Sequence, residues 1–105
     1  MAYRLVLSTA SSRKEALKLA NLILSKKLAA CVTAVPGAVS HYRWKGGIVR
    51  SKEVLLLIKT TVAVWPRVLH FLKKNHPYDN PEILALPVTE GSKEYLSWLN
   101  ASVKK

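Results

Sequence analysis

The hydrophobic positions of this chain change period as they run, and the changes mark out its elements. Leu5-Val6-Leu7 is a short apolar run ahead of Ser8-Thr9-Ala10-Ser11-Ser12, which predicts a buried strand and then a turn. Ser12 with Glu15 three residues on has the form of a capping box. Behind it Ala16, Leu19, Ala20, Ile23, Leu24 and Leu28 recur at helical spacing and predict a helix with one apolar face for a sheet. Arg13, Lys14, Lys18, Asn21, Ser25 and Lys26 fall mostly on the other side.

Two β-rich runs follow, Cys31 to Trp44 and Ile48 to Thr60, around Lys45-Gly46-Gly47. This is the strongest hairpin signal in the chain. Pro36-Gly37 interrupts the first arm and predicts a bulge or bend. Val54-Leu55-Leu56-Leu57-Ile58 is unbroken and predicts a strand segment covered on both faces. Each arm reaches roughly 40 Å at about 3.3 Å per residue, whereas a compact domain of this length is only about 35 Å across. The hairpin must bend or overhang, and an overhang with open edges needs cover from another chain. Tyr42 and Trp44 alternate with His41 and Arg43, which places aromatics on one face and bases on the other. Two exposed aromatics suit a subunit interface, so an oligomer is expected.

Thr61 is the expected cap of a second helix, with Pro66 in its first turn and Trp65, Val68, Leu69 and Leu72 facing the core. Lys73 and Lys74 stand at the favourable C-terminal end of its dipole. Proline disfavours helix in the residue before it, so His76 and Asn80 are both expected to be extended and the helix to stop near Asn75. A stiff bridge leads to Ile83-Leu84-Ala85-Leu86, a strand expected to be covered on both faces, and Glu90-Gly91-Ser92 opens a short helix holding Tyr95, Leu96, Trp98 and Leu99. Val103-Lys104-Lys105 reads as a frayed end. The order strand, helix, strand, strand, helix, strand, plus a terminal helix, is the α+β split βαβ, ferredoxin-like arrangement, in one domain over 1–105.

Composition changes this picture only in its charge. Half of the 105 residues are apolar, as in a folded protein, but the net charge is +11 because only six acids face 17 Lys and Arg. Such a field favours polyanions or simply a solvated surface. The basic side of the first helix is the best nucleic-acid candidate, yet it lacks interleaved aromatics, and nucleic acid is not an expected partner. A single cysteine excludes an internal disulfide and fits a reducing compartment. With no signal-peptide core and no membrane-span run, a cytoplasmic protein without a membrane partner is expected.

Candidate chemistry concentrates in the bridge, where His76, Tyr78, Asp79 and Glu82 lie within seven residues. A neutral imidazole is a common ligand for copper, zinc or nickel, and Asp79 or Glu82 offers an oxygen donor. The competing reading is that His76 shapes the bend and hydrogen-bonds the backbone. Tyr78 and Glu82 either line a cleft between subunits with Lys59 or Arg43, or tie the bridge down. Asp79 and Glu82 read more readily as a turn and a cap than as an acid–base pair. Cys31 reads as a small buried hydrophobe, and His41 and His70 as surface residues. No nucleophile elbow, phosphate loop or H-E-x-x-H is present, and no enzyme is expected.

Several stretches taken together resemble one family. Lys27-Leu28-Ala29-Ala30-Cys31-Val32, Val35-Pro36-Gly37, Tyr42-Arg43-Trp44-Lys45-Gly46 and Leu57-Ile58-Lys59-Thr60 are similar to CutA, the divalent-cation tolerance proteins. So are His76-Pro77-Tyr78 with Pro81-Glu82-Ile83, Leu86-Pro87-Val88 through Glu90-Gly91, and Tyr95-Leu96-Ser97-Trp98-Leu99. The resemblance implies a ferredoxin-like subunit in a tight homotrimer with hairpins pairing across subunits, so that Tyr42, Trp44 and Trp98 are expected at the interface. It further implies a link to copper or another divalent cation, and a trimer like that of the PII signalling proteins, which bind small ligands in clefts between subunits. The clefts are expected near Tyr78, Asp79, Glu82 and Lys59. The copper site described for this family uses a cysteine and two consecutive histidines. Ser8, Asn75 and His76 stand at those positions here, so only His76 carries over as a metal residue and weak Cu²⁺ binding is expected. A signalling or scaffold trimer, with the metal incidental, is the alternative.

Overall fold

A computed structural model describes residues 2–104. In chain order the elements are β1 (Tyr3–Ala10), α1 (Arg13–Ser25), β2 (Cys31–Trp44), β3 (Gly47–Thr61), α2 (Trp65–Asn75), β4 (Leu84–Val88) and α3 (Lys93–Ser102). The strands form one antiparallel sheet in the order β2-β3-β1-β4, the split βαβ arrangement the pattern predicts. β1 is longer than its apolar run: Ser8, Thr9 and Ala10 continue the strand opposite Leu56, Leu55 and Val54.

Local chemistry explains the punctuation. Ser12 caps α1 by accepting the Glu15 amide N–H on its hydroxyl. The helix ends with Lys27 in the left-handed region at φ 55°, which lets the Leu28 N–H reach the Ile23 carbonyl. Lys45 (φ 49°) and Gly46 (φ 80°) form the two-residue hairpin turn between paired Trp44 and Gly47. At Pro36-Gly37 the register of β2 slips between Val35 and Ala38, a bulge that Gly37 accommodates at φ 86°. Val64, not Thr61, occupies the N-cap of α2, although Thr61 still accepts the Val64 N–H on its side chain. Pro66 lies in the first turn as expected. Phe71 joins Val68 and Leu72 on the buried face, because it stands three residues after Val68 and so on the same side of the helix.

Both α1 and α2 pack on one face of the sheet. Leu19 and Ile23, with Val68 and Leu72, enclose Val6, Leu56 and Ile58 in a single core. The opposite face corrects the expectation that Val54–Ile58 and Ile83–Leu86 are covered on both sides. With one helical layer, side chains alternate between covered and open, leaving Leu55 and Leu57 half-buried and Leu84 and Leu86 at 55% and 41% exposure. The hairpin does overhang: the chain spans 44 × 26 × 22 Å, and both arms are largely exposed beyond the bulge. The chain end also departs from the expectation of fraying. Val103 is buried, and Lys104 donates its N–H to Lys27 and accepts the Arg67 guanidinium; Lys105 lies outside the described residues.

Candidate functional site

The bridge begins where α2 ends. His76 is extended (φ −72°, ψ 135°), and its N–H still closes on the Leu72 carbonyl. This brings the imidazole against the end of β1, where it is buried. Nε2 lies 2.7 Å from the Thr9 carbonyl oxygen, and Nδ1 accepts the Tyr78 N–H at 3.1 Å. A carbonyl cannot donate and an amide N–H cannot accept, so the proton sits on Nε2 and both nitrogens are engaged. The Tyr78 ring packs against the imidazole, with centroids 4.7 Å apart.

Tyr78 extends the chain of contacts. Its hydroxyl donates to Glu53 Oε2 at 2.8 Å. Glu53 sits on the open face of β3, just where the apolar run gives way to the overhang, and is only 8% exposed. Burial pushes its carboxyl up, but hydrogen bonds from Ser40, Tyr78 and Thr9 outweigh that and hold it below the ordinary carboxylate value. Tyr78 moves the other way: burial, the hydrogen bond to Glu53 and the Glu53 charge push its hydroxyl up to about 12.

Between bridge and hairpin runs a groove of about 830 Å³. Tyr42, Arg43, Trp44 and Glu53 line one side, and Tyr78, Asp79 and Glu82 the other. Tyr42 is steadied by a 2.9 Å hydrogen bond to Ser51. Three of the six acids of this basic chain therefore meet in one groove.

The structure thus brings Tyr78, Asp79 and Glu82 together with Arg43, and adds Tyr42 and Trp44 to the same groove. His41 also reaches its edge, whereas His70 is an exposed residue of α2. Within one chain Lys59 stands apart, pairing with Cys31 across the hairpin and donating to Thr33 Oγ1. Cys31 is half-buried rather than enclosed, with its sulfur 3.6 Å from Lys59 Nζ. Trp98 lies on α3 beside Tyr95, outside the groove. Glu53 is the residue that sequence reasoning missed. Its one signal is that it is the sole acid of β3.

The family's copper positions do not fit a copper ion here. Ser8 Oγ is fully buried without a hydrogen-bond partner, and Asn75 donates its side-chain amide to the Phe71 carbonyl. No group of three His, Cys, Asp and Glu able to hold a metal occurs among the described residues. Both ring nitrogens of His76 are engaged by backbone groups in this structure, so the imidazole ties the bridge to β1.

A split βαβ sheet with α1 and α2 on one face, an overhanging hairpin and a groove where hairpin and bridge meet defines a ferredoxin-like α+β protein. Residues 4–102 match the family described as "CutA1 divalent ion tolerance protein". The chain is 50% identical over 99 residues to the divalent-cation tolerance protein CutA of Escherichia coli O139:H28, covering 94% of this chain and 88% of that one. Among solved structures it superposes on Cut A1 from Thermus thermophilus with a TM-score of 0.93 at 44% identity, covering 97% of this chain and 99% of that one. CutA1 from Oryza sativa gives 0.97 at 39% identity, covering 100% and 96%. The chain belongs to the CutA family of divalent-cation tolerance proteins.

Proposed function

We propose that the chain is a non-enzymatic binding subunit of a CutA homotrimer that takes part in the response to divalent metal ions, with a cation or small ligand received at clefts near Tyr78, Asp79 and Glu82. What carries the trimer reading is the open sheet face: Leu55, Leu57, Leu84 and Leu86 form an apolar surface in a chain whose other face is already covered. Tyr42 and Trp44 lie on the same open face and extend it along the hairpin, and Trp98 is a further exposed ring that an interface would cover. Lys59 belongs to such a cleft only if a neighbouring subunit contributes to it.

One observation favours the second reading, a PII-like signalling or scaffold trimer with metal incidental. The donors that suit copper are replaced at Ser8 and Asn75 and engaged at His76. The half-exposed free thiol of Cys31 supports a reducing, cytoplasmic location, although a relative from Archaeoglobus fulgidus is described as periplasmic.

Mass in solution tests the assembly, and titration of Zn²⁺ into wild type and Asp79→Asn/Glu82→Gln tests the groove. A trimer whose Zn²⁺ affinity falls in the variant supports the proposal; a monomer, or binding indifferent to both carboxylates, overturns it.

A further inference from the structure

We infer that the outer face of the helical layer is a docking surface for anionic lipid headgroups. α1 and α2 pack side by side on one face of the sheet, so their outer sides look away from the core. Eight of the 17 Lys and Arg lie there, five from Arg13 to Lys27 and three on α2, and all eight are exposed. Glu15 is the one acid in α1, and α2 has none. Three of the remaining acids line the groove on the opposite side of the sheet. The helical side therefore carries the larger share of the net positive charge, though the hairpin is basic too, and it is complementary to a surface of negative charge.

The choice between a lipid surface and a nucleic acid rests on α1. Leu17 is 63% exposed and Leu24 40%, two helical turns apart on the same side, with Arg13 and Lys14 one turn before Leu17. An aliphatic side chain gains nothing beside a phosphodiester backbone, but it can enter the boundary between headgroups and acyl chains while neighbouring lysines reach the phosphates. α1 carries no aromatic residue on which a base would stack. Exposed rings stand instead on the hairpin and α3. No helix is long and apolar enough to cross a membrane among the described residues, so this would be attachment at the surface.

Cosedimentation with vesicles tests it. One set is zwitterionic phosphatidylcholine; the other is the same lipid with phosphatidylglycerol added. The full chain should sediment with the anionic set only and be released as salt shortens the Debye length from about 10 Å at 0.1 M to about 3 Å at 1 M. Lys14→Glu/Lys18→Glu should weaken binding roughly tenfold or more. Leu17→Ser should weaken it about fivefold, and Lys45→Glu at the hairpin turn should leave it unchanged. All four positions are exposed, so the variants should retain the wild-type circular dichroism spectrum. Absence of anionic-vesicle binding in low salt, or equal loss with Lys45→Glu, overturns the inference. So does single-stranded RNA that competes the protein off the vesicles while Leu17→Ser binds them like wild type.

Discussion

Glu53 offers the sharpest test of how the groove is built. Among the hydrogen bonds of the bridge, those of His76 and Tyr78 tie it to the sheet: His76 to Thr9, and Tyr78 to Glu53. Glu53→Ala removes the acceptor of the Tyr78 hydroxyl and the group that Ser40 and Thr9 also hold. Hydrogen bonds to a charged group each contribute about 1.5–3 kcal/mol, offset here by relief from keeping a carboxylate buried, so a net loss of about 2 kcal/mol is expected. Glu53→Gln keeps an acceptor without the charge and should lose about 1 kcal/mol. The local readout is hydrogen exchange at the Tyr78 amide, which should quicken about 30-fold in Glu53→Ala if the bridge opens by that amount. The sign with pH follows from the lowered carboxyl. The folded protein binds this proton less readily than the unfolded chain, so the stabilisation is present above about 4.5 and lost as pH falls through the lower folded value. A double-mutant cycle of Glu53→Gln with Tyr78→Phe, at fixed protein concentration, should give a coupling of about 1 kcal/mol. Additive effects with unchanged Tyr78 exchange would refute the clasp.

Three further outcomes follow from the same geometry. Tyr78 holds its proton to about 12 against an ordinary 10.0, so its contribution is complete below 10 and lost between 10 and 12; alkaline denaturation of Tyr78→Phe should show a shallower decline in that window. Lys27→Gly should raise stability by up to about 1 kcal/mol in urea unfolding, because glycine adopts the φ of 55° without a Cβ penalty. Leu84→Asp/Leu86→Asp should shift the mass in solution towards the single chain, since it places charges on the open apolar face while leaving the core under the helices intact.

What the sequence made legible was local. The cap at Ser12, the hairpin turn, the bulge at Pro36-Gly37 and the end of α2 before Pro77 all depend on residues within a few positions of one another. What it concealed depended on contacts between distant residues. Glu53 meets Tyr78 across 25 positions, and the imidazole of His76 meets Thr9 across 67. Neither pairing leaves a periodic trace, so the sequence allows His76 and Tyr78 to be ties of the bridge but does not identify Thr9 and Glu53 as their partners. The unbroken run Val54–Ile58 was readable as buried on both faces, but one chain supplies cover for only one. A frayed end was the natural reading of Val103-Lys104-Lys105, because nothing local shows that Lys104 reaches back to Lys27.

The proposal that His76 ties the backbone rather than holding copper is tested most directly by calorimetric titration of Cu²⁺ into the wild-type protein beside His76→Ala, with mass in solution measured on both. The hydrogen bonds at Nδ1 and Nε2 predict that any copper bound is bound equally by the two proteins, while the variant loses protection at the Tyr78 amide. One copper per chain at micromolar or tighter affinity in the wild type, absent from an equally folded and equally assembled His76→Ala, would contradict it.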